Sequence, residues 1–263
     1  MERPSAKNLR RPKAYISPIG TNHVHLRNPW MTVWLSASFP GFGHIFLGSY
    51  VKGFLLVIWE VMINVNANLN TAIIYSFTGQ FDLAKSVLDQ RWLLLYIAVF
   101  VYSLWDAHRA TISINKYSIL AERNHAPIIP VKMNAVEFNY LDKRQPWLAV
   151  FWSLVMPGLG HLYLHRLPTG FFVLVWWIAI TYFSRFLEAL HYSFVGNFSQ
   201  AVAIADPLWL LFMPSLYAFA IYDAYVTAVE YNKLFEMEQA DFLKENYQNP
   251  DFDITDIAFL KGR

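Results

Sequence analysis

The chain is predicted to be an all-α integral membrane protein made of two parallel tandem repeats. Three observations lead there: a self-match at an offset of 117 residues, a composition that is 56% hydrophobic and 15% charged, and a one-sided placement of basic residues. Pro29-Trp30 returns as Pro146-Trp147, and 146 − 29 = 117. Pro40-Gly41-Phe42-Gly43-His44 returns as Pro157-Gly158-Leu159-Gly160-His161, Gly53 as Gly170, Trp92 as Trp209 and Asp106-Ala107 as Asp223-Ala224, with no gap needed between 27 and 116. Most apolar positions have drifted between the copies. The Gly, Pro, His and Asp kept in both are therefore constrained by backbone or chemistry.

Soluble domains carry about 25% charged residues, far more than this chain. Its aromatic content of 17% suits Trp and Tyr at the two membrane interfaces. A net charge of +2 with no basic stripe among exposed aromatics excludes a nucleic-acid partner. With no Cys, disulfides, thiolate catalysis and cysteine-bound metals are excluded. The first 28 residues are charged and lack an apolar core, so they do not read as a cleavable signal, and internal spans must drive insertion.

The elements come in this order. Residues 1–28 form a basic cytoplasmic segment, expected to be flexible on the membrane surface. Repeat one, 29–116, opens with the short apolar stretch Met31 to Phe39, which ends at Pro40-Gly41. Its second run is Phe54 to Val65, interrupted by Glu60 and Asn64, and its third is Trp92 to Leu104. A cytoplasmic linker spans 117–145. Repeat two, 146–233, repeats the rhythm as Leu148 to Met156, Phe171 to Phe183 and Leu208 to Ile221. An acidic cytoplasmic tail, 234–263, closes the chain, and its last stretch, 252–260, reads as a docking peptide or a frayed end.

A helix needs about 20 residues to cross a bilayer core, so the first stretch of each copy is too short alone. It either continues through a kink as a third span, inverting the second copy, or breaks at Pro-Gly and turns back. Arg3, Lys7, Arg10, Arg11, Lys13 and Arg27 precede repeat one, and Arg109, Lys116, Arg123, Lys132, Lys143 and Arg144 lie between the repeats. The loops 66–90 and 184–207 hold only Lys85 and Arg185. Basic loops stay cytoplasmic. Both termini and the linker should then face the cytoplasm, each copy should cross twice, and the short Pro-Gly-broken helix should be re-entrant. The copies become parallel repeats about an axis along the membrane normal.

Pro40, Gly41, Gly43 and Gly53, with Pro157, Gly158, Gly160 and Gly170, are the structural motif. Pro ends a helix, and glycine accepts backbone angles closed to other residues. Broken backbone at membrane depth survives only where protein or water satisfies it. His44 and His161 lie directly after the break. They read either as imidazoles tying down the turn or as a proton-handling or ligand-binding pair, and the tying role is preferred because buried polar groups must first be satisfied. A haem iron held between the two, or a bound quinone, in a haem- or quinone-binding membrane subunit is a weaker alternative; no metal site is otherwise expected. Asp106 lies about 21 Å along its helix from Trp92, at buried depth on the cytoplasmic side. An ionisable residue there is a functional candidate that needs a partner, and the His of the same copy is the natural one. The candidate intramembrane polar site is thus His44, Asp106, His161 and Asp223, acting as structural clasps or as halves of a proton relay.

Pro-Gly-Leu-Gly-His-Leu-Tyr-Leu at 157–164, with Gly170 and Tyr222-Asp223 further along, resembles the TM-two domain family of small two-helix membrane domains. The resemblance covers 29–60 and 92–112 with their counterparts. Carried over by position, it implicates Gly41, Gly43, His44, Phe46, Leu47, Gly48, Gly53 and Asp106, then Gly158, Gly160, His161, Tyr163, Leu164, Gly170 and Asp223. The chain departs from the pattern in having Pro before the first glycine, a tighter His-to-aromatic spacing, and His165 where the first copy has Gly48. No Asp-Arg-Phe motif occurs in the connection. The family shares no enzymatic activity, so the resemblance implies a scaffold rather than a reaction. No Ser-His-Asp set, phosphate-binding Gly loop or paired catalytic carboxylates are visible. The expected function is a non-enzymatic scaffold or assembly subunit in a bacterial cytoplasmic membrane, with protein partners at its cytoplasmic tails or membrane helices. The alternative is a transporter or channel for protons, ions or a small solute.

Overall fold

The chain enters through an antiparallel hairpin, β1 (Ala14–Ser17) with β2 (Gly20–His23), in which Ala14 pairs with His23. This departs from the flexible surface segment expected there. In the computed structural model, which describes residues 11–123, 128–135 and 137–248, six helices come next before the chain repeats its course. They are α1 (Pro29–Ser38), α2 (Phe42–Phe46), α3 (Tyr50–Ala67), α4 (Leu69–Phe77), α5 (Phe81–Val87) and α6 (Gln90–Arg123). The remainder is β3 (Val131–Met133), β4 (Phe138–Tyr140), α7 (Pro146–Val155), α8 (Leu159–Tyr163), α9 (Leu167–Ser184), α10 (Phe186–Phe194), α11 (Phe198–Ile204), α12 (Pro207–Leu210) and α13 (Phe212–Asn246).

The starts of α3 and α9 are Tyr50 and Leu167, and 167 − 50 = 117; the same difference separates α1 from α7 and α5 from α11. It also separates the hairpins, since Val131 pairs with Tyr140 as Ala14 pairs with His23. Every described residue with positive φ has such a counterpart: Gly41 with Gly158, Gly48 with His165, Asn68 with Arg185, and Gly79 with Gly196.

α1 begins at Pro29, whose missing donor costs nothing at a helix start, and the Asn28 side chain accepts from the Trp30 amide at 2.9 Å. It stops at Phe39, held extended at φ −160 by the ring of the following proline. Gly41 then turns at φ 105, and α2 runs for one turn and a half. A Cβ on Gly41 would sit 2.5 Å from the Gly53 carbonyl oxygen, and one on Gly158 2.6 Å from that of Gly170. The duplicated Gly41/Gly53 spacing is thus a backbone-on-backbone contact between the break and α3.

Ten-residue α1 and α7 rise about 15 Å, half a bilayer core. Among the described residues, three helical stretches are long and apolar enough to cross a membrane: Tyr50–Ala67, Leu167–Ser184 and Pro207–Asn246. Phe81–Val87 with Gln90–Arg123 makes a fourth if the pair, bent by 91°, is one span. The bend has a local cause. Asp89 caps α6 by accepting from the amides of Arg91 (2.8 Å) and Trp92 (3.2 Å), and its own amide reaches back to the Ala67 carbonyl. Asp206 does the same for Leu208 and Trp209, with its amide on Ser184.

The loops expected at 66–90 and 184–207 are instead helical pairs, α4–α5 and α10–α11. The linker expected over 117–145 is divided between the end of α6 and the second hairpin, while α13 carries the expected tail as helix to Asn246. The stretch 252–260 lies outside the described residues.

α1 packs on α6 and α7 on α13, while α3 and α9 meet across the middle. There Phe54 stacks on Phe172 with ring centroids 3.9 Å apart, and Phe42 on Phe219 at 4.3 Å. Replacing Gly41 by Ala adds a left-handed penalty of about 1–2 kcal/mol to overpacking of about 1–3 kcal/mol. Gly79, at φ 76 with nothing within 4 Å of a built Cβ, meets only the first. Denaturation in detergent should find Gly41→Ala markedly less stable than Gly79→Ala; equal midpoints would refute the close-contact assignment.

Candidate functional site

The break that Pro and Gly impose puts each motif histidine on a short helix facing the long helix of its own half. His44 Nε2 donates to Asp106 Oδ2 at 3.1 Å, and His161 Nε2 to Asp223 Oδ2 at 2.9 Å. All four residues are at most 1% exposed. The two expected couples are therefore both formed, each within one half. In both rings Nδ1 has no hydrogen-bond partner among the described residues.

The carboxylates are neutralised differently. Asp106 receives Lys52 Nζ at 2.6 Å and Arg109 Nη2 at 2.7 Å, cations whose side chains are 42% and 58% exposed. Asp223 receives Arg166 Nη1 at 2.6 Å, and that guanidinium is buried and also donates to Thr227 Oγ1 at 2.8 Å. At the offset of 117, Lys52 faces Thr169, Arg109 faces Val226 and Arg166 faces Ser49, so none of the cations is shared. The sequence alone points to the duplicated acids and misses their unduplicated partners.

A second duplicated device is also missed by the sequence reading. Asn115 grips the backbone of Arg27, accepting from its amide at 2.9 Å and donating to its carbonyl at 2.8 Å. Asn232 grips Arg144 in the same way, at 2.8 Å for both bonds. Each guanidinium lies over an aromatic ring of the short helix, Arg27 on Phe46 at 4.9 Å and Arg144 on Tyr163 at 5.8 Å. The signal is present in the chain, because 27/144, 46/163 and 115/232 all differ by 117.

The first hairpin crosses to the second half. His165 Nε2 donates to the Pro18 carbonyl at 2.7 Å, the Leu167 amide to the Ile19 carbonyl at 3.1 Å, and Tyr231 OH to the Thr21 carbonyl at 2.7 Å. His165, the departure at the Gly48 position, thus anchors this hairpin. Beside it His23 and His25 stack at 4.6 Å, and with Glu230 they bring three potential ligand atoms within 4.8 Å of one another. Burial, then His25 and Arg27, hold the His23 imidazole well below its ordinary pKa; burial and Arg27 pull His25 down to about 3. Arg27 Nε donates to His25 Nε2, which leaves the His25 proton on Nδ1. Neutral imidazoles in so cationic a field, with one lone pair already used, are poorly set to hold a divalent metal.

Neither His44 nor His161 lines the cavities that flank the bundle, and each has its Nε2 engaged by a carboxylate, so the pair is not arranged to grip a haem iron from two sides. Glu60 is a further buried acid, in α3. It is bonded to Asn64 Nδ2 at 3.2 Å, in a group completed by Asn70. Comparison with protein-family models, curated protein sequences and solved structures returns no match.

Removing the acid from each couple should separate the halves. Asp223→Asn strands a buried Arg166, a change that costs about 3–5 kcal/mol. Asp106→Asn releases Lys52 and Arg109 to solvent and should cost clearly less. Parallel chemical denaturation of the two variants reads the difference, and a larger loss in Asp106→Asn would contradict the assigned partners.

Proposed function

We propose that the protein is a non-enzymatic integral membrane scaffold or assembly subunit, built from two parallel repeats of the TM-two type at an offset of 117. The observation that carries this reading is the sealing of both His–Asp couples. Each carboxylate already has a cation within 2.7 Å and each couple is at most 1% exposed. A relay group must exchange protons with water or a substrate; these hold a broken helix onto a long one. Positive-inside bias orients the hairpins and both termini toward the cytoplasm of a bacterial cell.

The partner-binding element in this reading is the end of α13. It runs 246 − 223 = 23 residues beyond Asp223, about 35 Å of helix. Exposed Phe242, Leu243 and Tyr247 lie there among Glu236, Glu238 and Asp241. Such an apolar-and-acidic face suits a basic, amphipathic partner segment. Crosslinking in intact membranes followed by purification in mild detergent tests it. The protein should carry a stoichiometric partner that is lost in a Phe242→Ser/Leu243→Ser variant; recovery as a lone chain under all such conditions would overturn the reading.

Transport is the second reading, and the specific observation in its favour is Glu60, a buried carboxylate in α3 with one amide partner, Asn64, and no cation within ion-pair reach among the described residues. In proteoliposomes the scaffold reading expects proton and cation flux no greater than in empty vesicles. Flux abolished by Glu60→Gln, or by the Asp106→Asn/Asp223→Asn pair, would favour transport instead.

A further inference from the structure

The two halves are not equivalent at the hairpin end. Between the first hairpin, α2 and the start of α9 lies a cavity of about 390 Å³. Lys13, His23, Arg27 and Arg166 line it, together with the hydroxyls of Tyr50, Thr227 and Tyr231, and no Asp or Glu does. Arg27 returns as Arg144 at the offset of 117, but Pro130 stands for Lys13, Tyr140 for His23 and Ser49 where Arg166 does, so the cluster of cations around Arg27 occurs in one half.

The charge balance of the lining is incomplete. Lys13 pairs with Glu122 at 3.2 Å, and Arg166 with Asp223 at 2.6 Å. Arg27 has no carboxylate within ion-pair reach among the described residues; its side chain meets only the His25 ring nitrogen and the Phe46 face. Burial pulls its pKa down to about 10, against the attraction of Asp223 and with the help of Arg166. A guanidinium in such a place lowers its free energy by taking up an anion. His23 Nε2, in the same wall, also lacks a partner among the described residues. The divalent cation that His23, His25 and Glu230 suggest by spacing is opposed by these same charges.

We propose that this cavity is a binding site for a phosphate-bearing anion, held by Arg27 with Lys13 and Arg166 around it. The planar guanidinium fork of Arg27 matches phosphate oxygens, whereas the hydroxyls of Tyr50, Thr227 and Tyr231 already donate to Asn22, Asp223 and the Thr21 carbonyl. The site opens beside the ends of the helices that read as membrane spans, so the phosphate belongs either to an anionic lipid headgroup or to a soluble phosphate. The proposal stands independently of the scaffold reading.

The test titrates the full-length protein, purified in uncharged detergent, with inorganic pyrophosphate and separately with phosphatidylglycerol, using phosphatidylcholine as the control. Thermal unfolding and native mass spectrometry are the readouts. Wild type should be stabilised by several degrees by at least one of the two anions and not by phosphatidylcholine. Pyrophosphate alone acting identifies a soluble ligand; phosphatidylglycerol alone identifies a headgroup. Arg27→Gln, which leaves the backbone grip of Asn115 untouched, should weaken binding at least tenfold. Lys13→Gln, further from the packed core, should weaken it severalfold and serves if Arg27→Gln does not fold. Exposed Arg91→Gln should bind as wild type. No stabilisation by either anion, or equal affinity in Arg27→Gln and wild type, would overturn the proposal.

Discussion

A carboxylate buried in a long helix, tied to an imidazole on a short one, is the constraint on which the rest of each half depends. Pro40-Gly41 and Pro157-Gly158 break the chain in buried surroundings, where loose polar groups are costly. The turn survives because α2 and α8 are each fastened from two sides. Glycine permits backbone contact with α3 or α9, and histidine reaches Asp106 or Asp223 on α6 or α13. Remove the acid and the imidazole loses its one partner among the described residues. Remove the glycine space and the imidazole no longer reaches the acid. The two devices are one mechanism seen from opposite faces of the short helix.

Neutralising that carboxylate is where the halves part. In the first, Lys52 comes from the opening turn of α3 and Arg109 from the next turn of α6, both with ends in solvent. In the second, Arg166 comes from the N-cap of α9 and is buried with its acid. A buried pair is a weak source of net stability, but it is intolerant of losing either member. Burying Arg166 also places a fixed cation behind the first hairpin, which His165 and Tyr231 hold in place. The asymmetry of the hairpin end is therefore a consequence of how one aspartate acquired its counter-charge.

How much of this is legible in the sequence depends on the range of the interaction. The helix breaks, the His–Asp couples and the two long helices per half are legible, because Pro, Gly and intramembrane Asp have few tolerable environments. The hairpins are not. Ala14–Ser17 and Gly20–His23 are four residues each, and their alternation is buried among Pro and Arg that read as disorder. A self-match begun at residue 27 passes over Asn22 and Asn139, which sit at the same offset, and Asn139 is the residue that bonds Ser17 and Thr21. The α4–α5 and α10–α11 helices are hidden because seven- and nine-residue amphipathic segments look like loops; Asp89 and Asp206, which cap the helices after them, are the available clue. Lys52, Arg109 and Arg166 are illegible for a different reason. They are unpaired at the repeat offset, so a search built on what both copies share discards them.

That last blindness bears on the choice between clasp and relay. Residues shared at the repeat offset report what the fold needs twice, and here those are the acid, the imidazole and the glycine contact. Residues present once are ones the fold does not need in both halves: Arg166, His165, Glu60, and His23 with Lys13. A transport site centred on the pseudo-symmetry axis would be expected to draw on the shared set, as paired half-sites. Instead each shared couple closes on itself within its own half and is completed by private cations. Exchange with a substrate would require opening a couple whose carboxylate is already fully bonded, leaving an unpaired charge in apolar surroundings at a cost of several kcal/mol. At the hairpin end Arg27 has no carboxylate partner among the described residues, and it lies beside His23, Lys13 and Arg166, which occur once. Function in this molecule is therefore to be sought where the repeats differ, on a frame held together by what they share.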